Sequence, residues 1–483
     1  MTLHFFSMGF VVGGLDAILF NVLEGYLNEP SDIMKGAQNV ATLPIMFSVF
    51  LGILSDSRPV FGYRRRPYMV GGWMLAATSF IILLSRGLPA PYYCFSAVDG
   101  HYLMDEAPCN PEAVDFYSPI VICLCFAMLG CTAATSAAEG LLVEYAKAEP
   151  EEYRGSAQTT LHMVRVVGNF TAVATAAFGF NGRLFTGSFD QQYQLSYPEF
   201  IGLFAAISIV TAVSCLFCVR EGAGSVASIR AYCSASWNLL ESKAFCAVAL
   251  YIYYNSSISS MFTSAGVWVG LEWAHTEDLQ RQIANMLGTL FALLGCWFMQ
   301  RFMLNVSWRK IIFGTIIFTV VLDVFPQFLT IFDVVRNQYF YLGEPVTKNV
   351  PKAMTTLVYA FLVNELADES NTALVVGLLQ TIQAVGEPLS NLLSSQLFSL
   401  FTPDLYLRLN YIKDTPAFRW TVAWSFLLSY LIMLLGLLTL PLFPSQKEEP
   451  SSIHLAKCIT CFFPRIKIKL NRPRLRKLHH SKP

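Results

Sequence analysis

Apolar residues in this chain gather into long runs separated by polar connections. Twelve runs can be read, at about 4–27, 37–55, 68–88, 118–145, 156–180, 197–219, 244–271, 280–300, 309–333, 352–369, 370–401 and 418–443. A run of about 20 apolar residues spans a bilayer, and only a helix satisfies the backbone there. The pattern predicts an all-α membrane protein of about twelve transmembrane helices. The tenth and eleventh runs are separated only by the polar stretch Glu365 to Asn371. Connection 220–243 divides the chain into a six-helix bundle over 1–219 and a second over 244–443, with a basic tail at 444–483. That division fits a two-bundle transporter whose binding site lies between the halves. It rests on helix count, because no sequence repeat is evident.

Composition agrees with this reading: 54% of residues are hydrophobic and 14% charged, against about 25% charged in soluble domains. The net charge of zero gives no bulk attraction to nucleic acid. The first run starts almost at Met1 and is too long for the core of a signal peptide, so it reads as a spanning helix. Lys and Arg set the orientation. With the N-terminus inside, the inner segments carry 22 of the 33 Lys and Arg. Both termini are therefore expected in the cytoplasm, with the plasma membrane as the expected location. The tail supplies 10 of the 22, including the run IKIKLNRPRLRKLHH. This run either contacts anionic lipid or acts only as a topology signal. Cys458 and Cys461 in the tail suit palmitoylation or no modification. Cys94 and Cys109 share the long outer loop 89–117, where a disulfide or free thiols are both open. Other cysteines, such as Cys123, Cys125 and Cys131, lie within spans as small apolar residues.

The loop SDSRPVFGYRRRPY, Ser55 to Tyr68, sits between the second and third runs. Gly52 permits close helix approach. Asp56 can cap or pair, and Arg64, Arg65 and Arg66 can reach carboxylates on neighbouring helix ends, Glu144 among them. Such a network would latch the inner gate of a rocking transporter. Three arginines also serve simply to hold a loop inside.

The wording of this loop resembles the signature of the folate-biopterin transporter family, within the major facilitator superfamily. Further similar segments are Ala41-Thr42-Leu43-Pro44, the acidic stretch Glu139 to Glu144, the segment from Gly155 through Gln158 and Arg165 to Gly168, and Gly386 with Leu389-Ser390. The resemblance implies a major-facilitator-type fold, alternating access and proton coupling. It also has departures. Ser48 stands where the family carries Lys, and Thr372 where it carries Glu. The acidic pair closing the first helix is replaced around Asn28-Glu29.

Charges inside spans are costly and normally face a cavity or a partner. Gln158, His162 and Arg165 share one helix face, with Arg165 some 13 Å into its helix. Two readings stay open for Arg165: it binds a substrate carboxylate, or it forms a structural pair with Glu139. His162 reads as the single intramembrane histidine, for proton coupling or a structural hydrogen bond. Gln380, Gln383, Glu387 and Asn391 make one polar stripe, for a cavity wall or for helix association. Glu387 precedes Pro388, where an irregular backbone would add carbonyl ligands. Asp16 and Asp323 are isolated mid-span acids. Tyr254 and Asn255, in YIYYNSSISSMFTS, suit either stacking of a flat heterocycle or ordinary packing. Glu365, Asp368 and Glu369 lie near inner helix ends.

The expected function is secondary transport, by a monomer without cofactors or metal, of folates, pterins or a related small organic anion. A different small organic solute on the same architecture is the alternative. A membrane enzyme or receptor is a remote one, since the chain carries no HExxH, GxSxG or P-loop motif.

Overall fold

The computed structural model describes residues 1–29, 31–96, 101–103, 107–149, 155–185, 194–222, 234, 237–303, 306–367 and 371–444. The tail with Cys458 and Cys461, most of the 220–243 connection, and Asp368 and Glu369 lie outside those residues. The helices are α1 (Thr2–Ile18), α2 (Ser31–Thr42), α3 (Ser48–Ser57), α4 (Arg66–Arg86), α5 (Tyr117–Ala148), α6 (Ser156–Ala174) and α7 (Tyr197–Cys218) in the first half. The second half holds α8 (Lys243–Tyr254), α9 (Ala265–Trp268), α10 (Asp278–Phe298), α11 (Trp308–Ile331), α12 (Asn349–Leu366), α13 (Thr372–Phe398) and α14 (Pro416–Leu435). Short turns of helix lie in the connections at Gln338–Tyr341, Gly343–Thr347 and Arg408–Lys413.

Among the described residues, ten helices are long and apolar enough to cross a membrane, and the chain is an integral, multi-pass membrane protein. The two other expected spans differ in physical character. The run at 244–271 is interrupted: a π-helical segment, Asn255–Ser259, follows α8, and regular helix resumes only at α9. Ser257 and Ser260 donate to the carbonyls of Tyr253 and Asn255, and hydroxyls bonded to their own backbone weaken a helix. Helix α12 carries Asn349, Lys352, Asn364 and Glu365 within 18 residues, so it is too polar to stand as a span on its own composition.

Buried apolar side chains from Met8 to Val219 form one core. Two further cores are built almost entirely from residues after 238, with Val143 of α5 the exception. Small residues let helices meet backbone to backbone, a common device in membranes. A side chain at Gly9 of α1 would overlap the Arg165 carbonyl, and one at Gly168 of α6 would overlap the Phe6 carbonyl. One contact that joins the halves is α3 against α13, where Gly52 faces the Ala373 carbonyl and Gly377 faces that of Ser48. Val49 N–H and the Met46 carbonyl both bond the Thr381 hydroxyl, at 3.2 and 3.0 Å. Gly52→Val should wedge these helices apart at a cost of about 1–3 kcal/mol. The expected result is a lowered melting temperature and slowed transport, with Gly71→Ala, which meets nothing within 4 Å, unchanged in both.

At the opposite end, β1 (Phe95–Ser96) and β2 (His101–Tyr102) pair in an antiparallel hairpin. Cys94 and Cys109 form a disulfide. The Tyr26 hydroxyl donates to the Pro89 carbonyl at 2.8 Å, so this loop is pinned to the end of the first span.

Candidate substrate cavity and gate

Between the halves lies a cavity of about 360 Å³. Helix α6 lends it Gln158, His162 and Arg165, α5 lends Glu139, and α13 lends Gln380, Gln383 and Glu387. The one-face spacing of the first three therefore places them together. Arg165 and Glu139 do not form the ion pair expected as one reading: neither has a hydrogen-bond or salt-bridge partner among the described residues. Opposite charges face one space without closing on each other.

The remaining candidates divide. Gln158 is bonded to α12, donating to the Ala360 carbonyl at 2.9 Å and accepting from Asn364 at 2.6 Å. His162 Nε2 is buried without a hydrogen-bond partner among the described residues. It is not the single histidine of the spans, because His4 is buried in α1 with its Nδ1 accepting from the Trp73 indole at 2.9 Å. The start of the first run hid it. Asn391 does not line the cavity, and α13 continues as helix through Pro388, which has no N–H to donate to the carbonyl of Ala384 on the cavity wall. Tyr254 and Asn255 line neither cavity; Asn255 instead donates to the Tyr359 hydroxyl at 3.0 Å. Tyr359 of α12 is the aromatic wall, and nothing in its apolar run marks it from sequence. Asp323 accepts from Tyr430 at 2.7 Å and Gln327 at 3.3 Å, away from both cavities.

Asp16 lines a second cavity of about 620 Å³, toward the disulfide end, together with Arg281, Lys352, Asn285 and Asn349. Asp16 accepts from Gln38 at 2.9 Å. Val12 borders both cavities.

The arginine loop closes the other end. Arg65 is fully buried. It pairs with Asp56 and, at 3.1 Å, with Glu144, and it donates to Thr372 at 2.7 Å and Ser55 at 3.1 Å. Burial works against its charge, but the two carboxylates raise the guanidinium above its ordinary value. Asp56 also accepts the Leu374 N–H at 2.9 Å, which caps the first turn of α13. Arg64 reaches Asp56 at 3.5 Å. The Glu221 carboxylate accepts the backbone N–H groups of Arg64, Arg65 and Arg66 at 2.8–2.9 Å. Sequence reasoning missed this partner because it lies 155–157 residues away. Thr372 thus meets Arg65 with a hydroxyl. Ser48 lines the central cavity and brings no charge to it. No group of three or more His, Cys, Asp and Glu is placed to hold a metal among the described residues.

Residues 27–90 match the model of the BT1 family, over a stretch that contains the whole loop. No curated protein matches the sequence. Among solved structures, the human organic anion transporter MFSD10 (TETRAN) is similar with a TM-score of 0.58 at 12% identity, over 91% of this chain and 98% of that one. A D-xylose-proton symporter gives 0.59 at 13%, over 92% and 96%. A bacterial homologue of the iron transporter ferroportin, in an outward-facing state, gives 0.55 at 14%, over 93% and 99%. The chain has a major-facilitator-type fold along nearly its full length, and the stretch that matches the BT1 model falls on its second and third spans.

Proposed function

We propose that this protein is a secondary transporter of folates, pterins or a related small organic anion, working by alternating access. The observation that carries the reading is Arg165 and Glu139 facing one cavity with no hydrogen-bond or salt-bridge partner among the described residues. A charge so placed normally serves a pathway or a ligand. The aminopyrimidinone edge of a pterin offers two donors to a carboxylate such as Glu139. The planar fork of Arg165 suits a carboxylate or carbonyl of the cargo. Tyr359 offers a ring for a flat heterocycle. The match of residues 27–90 to the BT1 family supports this substrate class.

The halves would rock about the cavity, with the Arg65 network as the cytoplasmic gate and the disulfide loop outside. His162 and the unpaired carboxylates are the groups able to carry a coupled proton. The plasma membrane remains the proposed location. Proteoliposomes should take up labelled folate or biopterin, faster with an imposed pH gradient. No uptake of either removes the substrate reading, and uptake indifferent to the gradient removes the coupling.

Ser48 favours a second reading, a different small organic solute, because Arg165 is the only Lys or Arg lining the central cavity among the described residues. Competition of folate uptake by pterins, nucleosides and amino acids separates the two.

A further inference from the structure

The second cavity is the larger of the two, at about 620 Å³ against about 360 Å³, and the central site leaves it without a task. Its chemistry differs from that of its neighbour. The central cavity has two carboxylates and one guanidinium. The second has Lys352 and Arg281 against the single carboxylate of Asp16, with the amides of Asn169, Asn285 and Asn349 around them.

Three helices carry side chains from one cavity to the next at helical spacing. On α1, Val12 borders both and Asp16 follows one turn on; on α6, Asn169 follows Arg165 by one turn; on α12, Lys352 precedes Thr356 by one turn. A turn rises about 5.4 Å, so the two spaces are consecutive levels of one path. The Lys352 ammonium has no hydrogen-bond or ion-pair partner among the described residues. Arg281 lies over the Phe20 ring at 5.3 Å, joining the two halves at this level. Asp16 is held by Gln38.

We infer that this second cavity is an anion subsite, centred on Lys352 with Arg281 beside it, which takes the anionic tail of an elongated cargo whose ring sits at the level of Glu139 and Arg165. The inference rests on the transport reading above and narrows it: the cargo is a flat hydrogen-bonding head with an anionic group at least one helical turn away. Folate has that shape, and biopterin has the head without the charge. The amides and Asp16 provide hydrogen-bond partners along the linker, and Lys352 meets the carboxylate as a mobile point charge.

The test is equilibrium binding of labelled folate and labelled biopterin to the purified full chain, wild type, Lys352→Gln and Lys352→Arg. Folate binding should weaken roughly tenfold in Lys352→Gln, as expected for loss of a charge-assisted contact. Lys352→Arg should keep most of it, and biopterin binding should not change in either variant. Because Lys352 is exposed to the cavity, neither substitution should alter the melting temperature. Equal weakening of both ligands, or no change for folate, overturns the subsite while leaving the central site intact. A wild type that binds neither ligand overturns the substrate reading itself, and the subsite with it.

Discussion

Arg165→Ala should abolish uptake, by at least about a hundredfold, in protein that still reaches the membrane and still melts near the wild-type temperature. The geometry gives the reason. A guanidinium removed from a structural ion pair would leave a buried carboxylate unpaired and destabilise the fold. Arg165 is in no such closed pair: neither it nor Glu139 has a hydrogen-bond or salt-bridge partner among the described residues, and both face the central cavity. The loss should therefore fall on cargo binding, where truncating one side of a desolvated charge contact costs about 2–5 kcal/mol. Arg165→Lys keeps the charge and loses the fork, so it should recover uptake only in part. Initial rates in proteoliposomes, set beside melting curves, check the claim. Unchanged uptake removes Arg165 from the mechanism; a large fall in melting temperature shows instead that its role is structural.

The parts of this architecture that were legible in the sequence share one property: they are local. Span positions follow from runs of apolar residues, and among the described residues ten of them stand as helices long and apolar enough to cross a membrane. The common face of Gln158, His162 and Arg165 follows from the helical repeat. The arginine loop reads directly from its wording. What the sequence hid was pairing at long range. Glu221 caps the arginine loop from 155–157 residues away, and Asp56 bonds Leu374 across 318 residues. Tyr359 and Lys352 look ordinary within their run, and only the folded arrangement of α12 among its neighbours brings them to the cavities. Tyr254 shows the converse. Its Ser-rich surroundings suggested a binding wall, but the same serines break the helix and leave it outside both cavities.

Arg65→Ala should be the most damaging single change at the gate, and its effect should be conformational as well as energetic. Arg65 is fully buried and reaches Asp56, Glu144, Ser55 and Thr372. Removing it leaves the carboxylate of Asp56 in the protein interior without its closest cation, at a cost of about 3–5 kcal/mol. If the network is the proposed gate, part of that cost belongs to the closed state alone. Arg65 and Asp56 belong to the loop of the first half and its flanking helix, whereas Thr372 and Leu374 belong to α13 of the second, so these bonds break when the halves part at this end. Each 1.4 kcal/mol taken from the closed state moves the equilibrium tenfold toward opening there. The variant should melt earlier, and a cysteine placed at Ala360, near the closed end, should react faster with an aqueous thiol reagent than in the wild type. Asp56→Asn together with Arg65→Met removes the charge and its partner at once. The double variant should regain much of the melting temperature while keeping the raised reactivity, because it restores buried neutrality and not the bonds across the halves. If Arg65→Ala melts earlier with no gain in reactivity, the network holds the loop together without latching the gate.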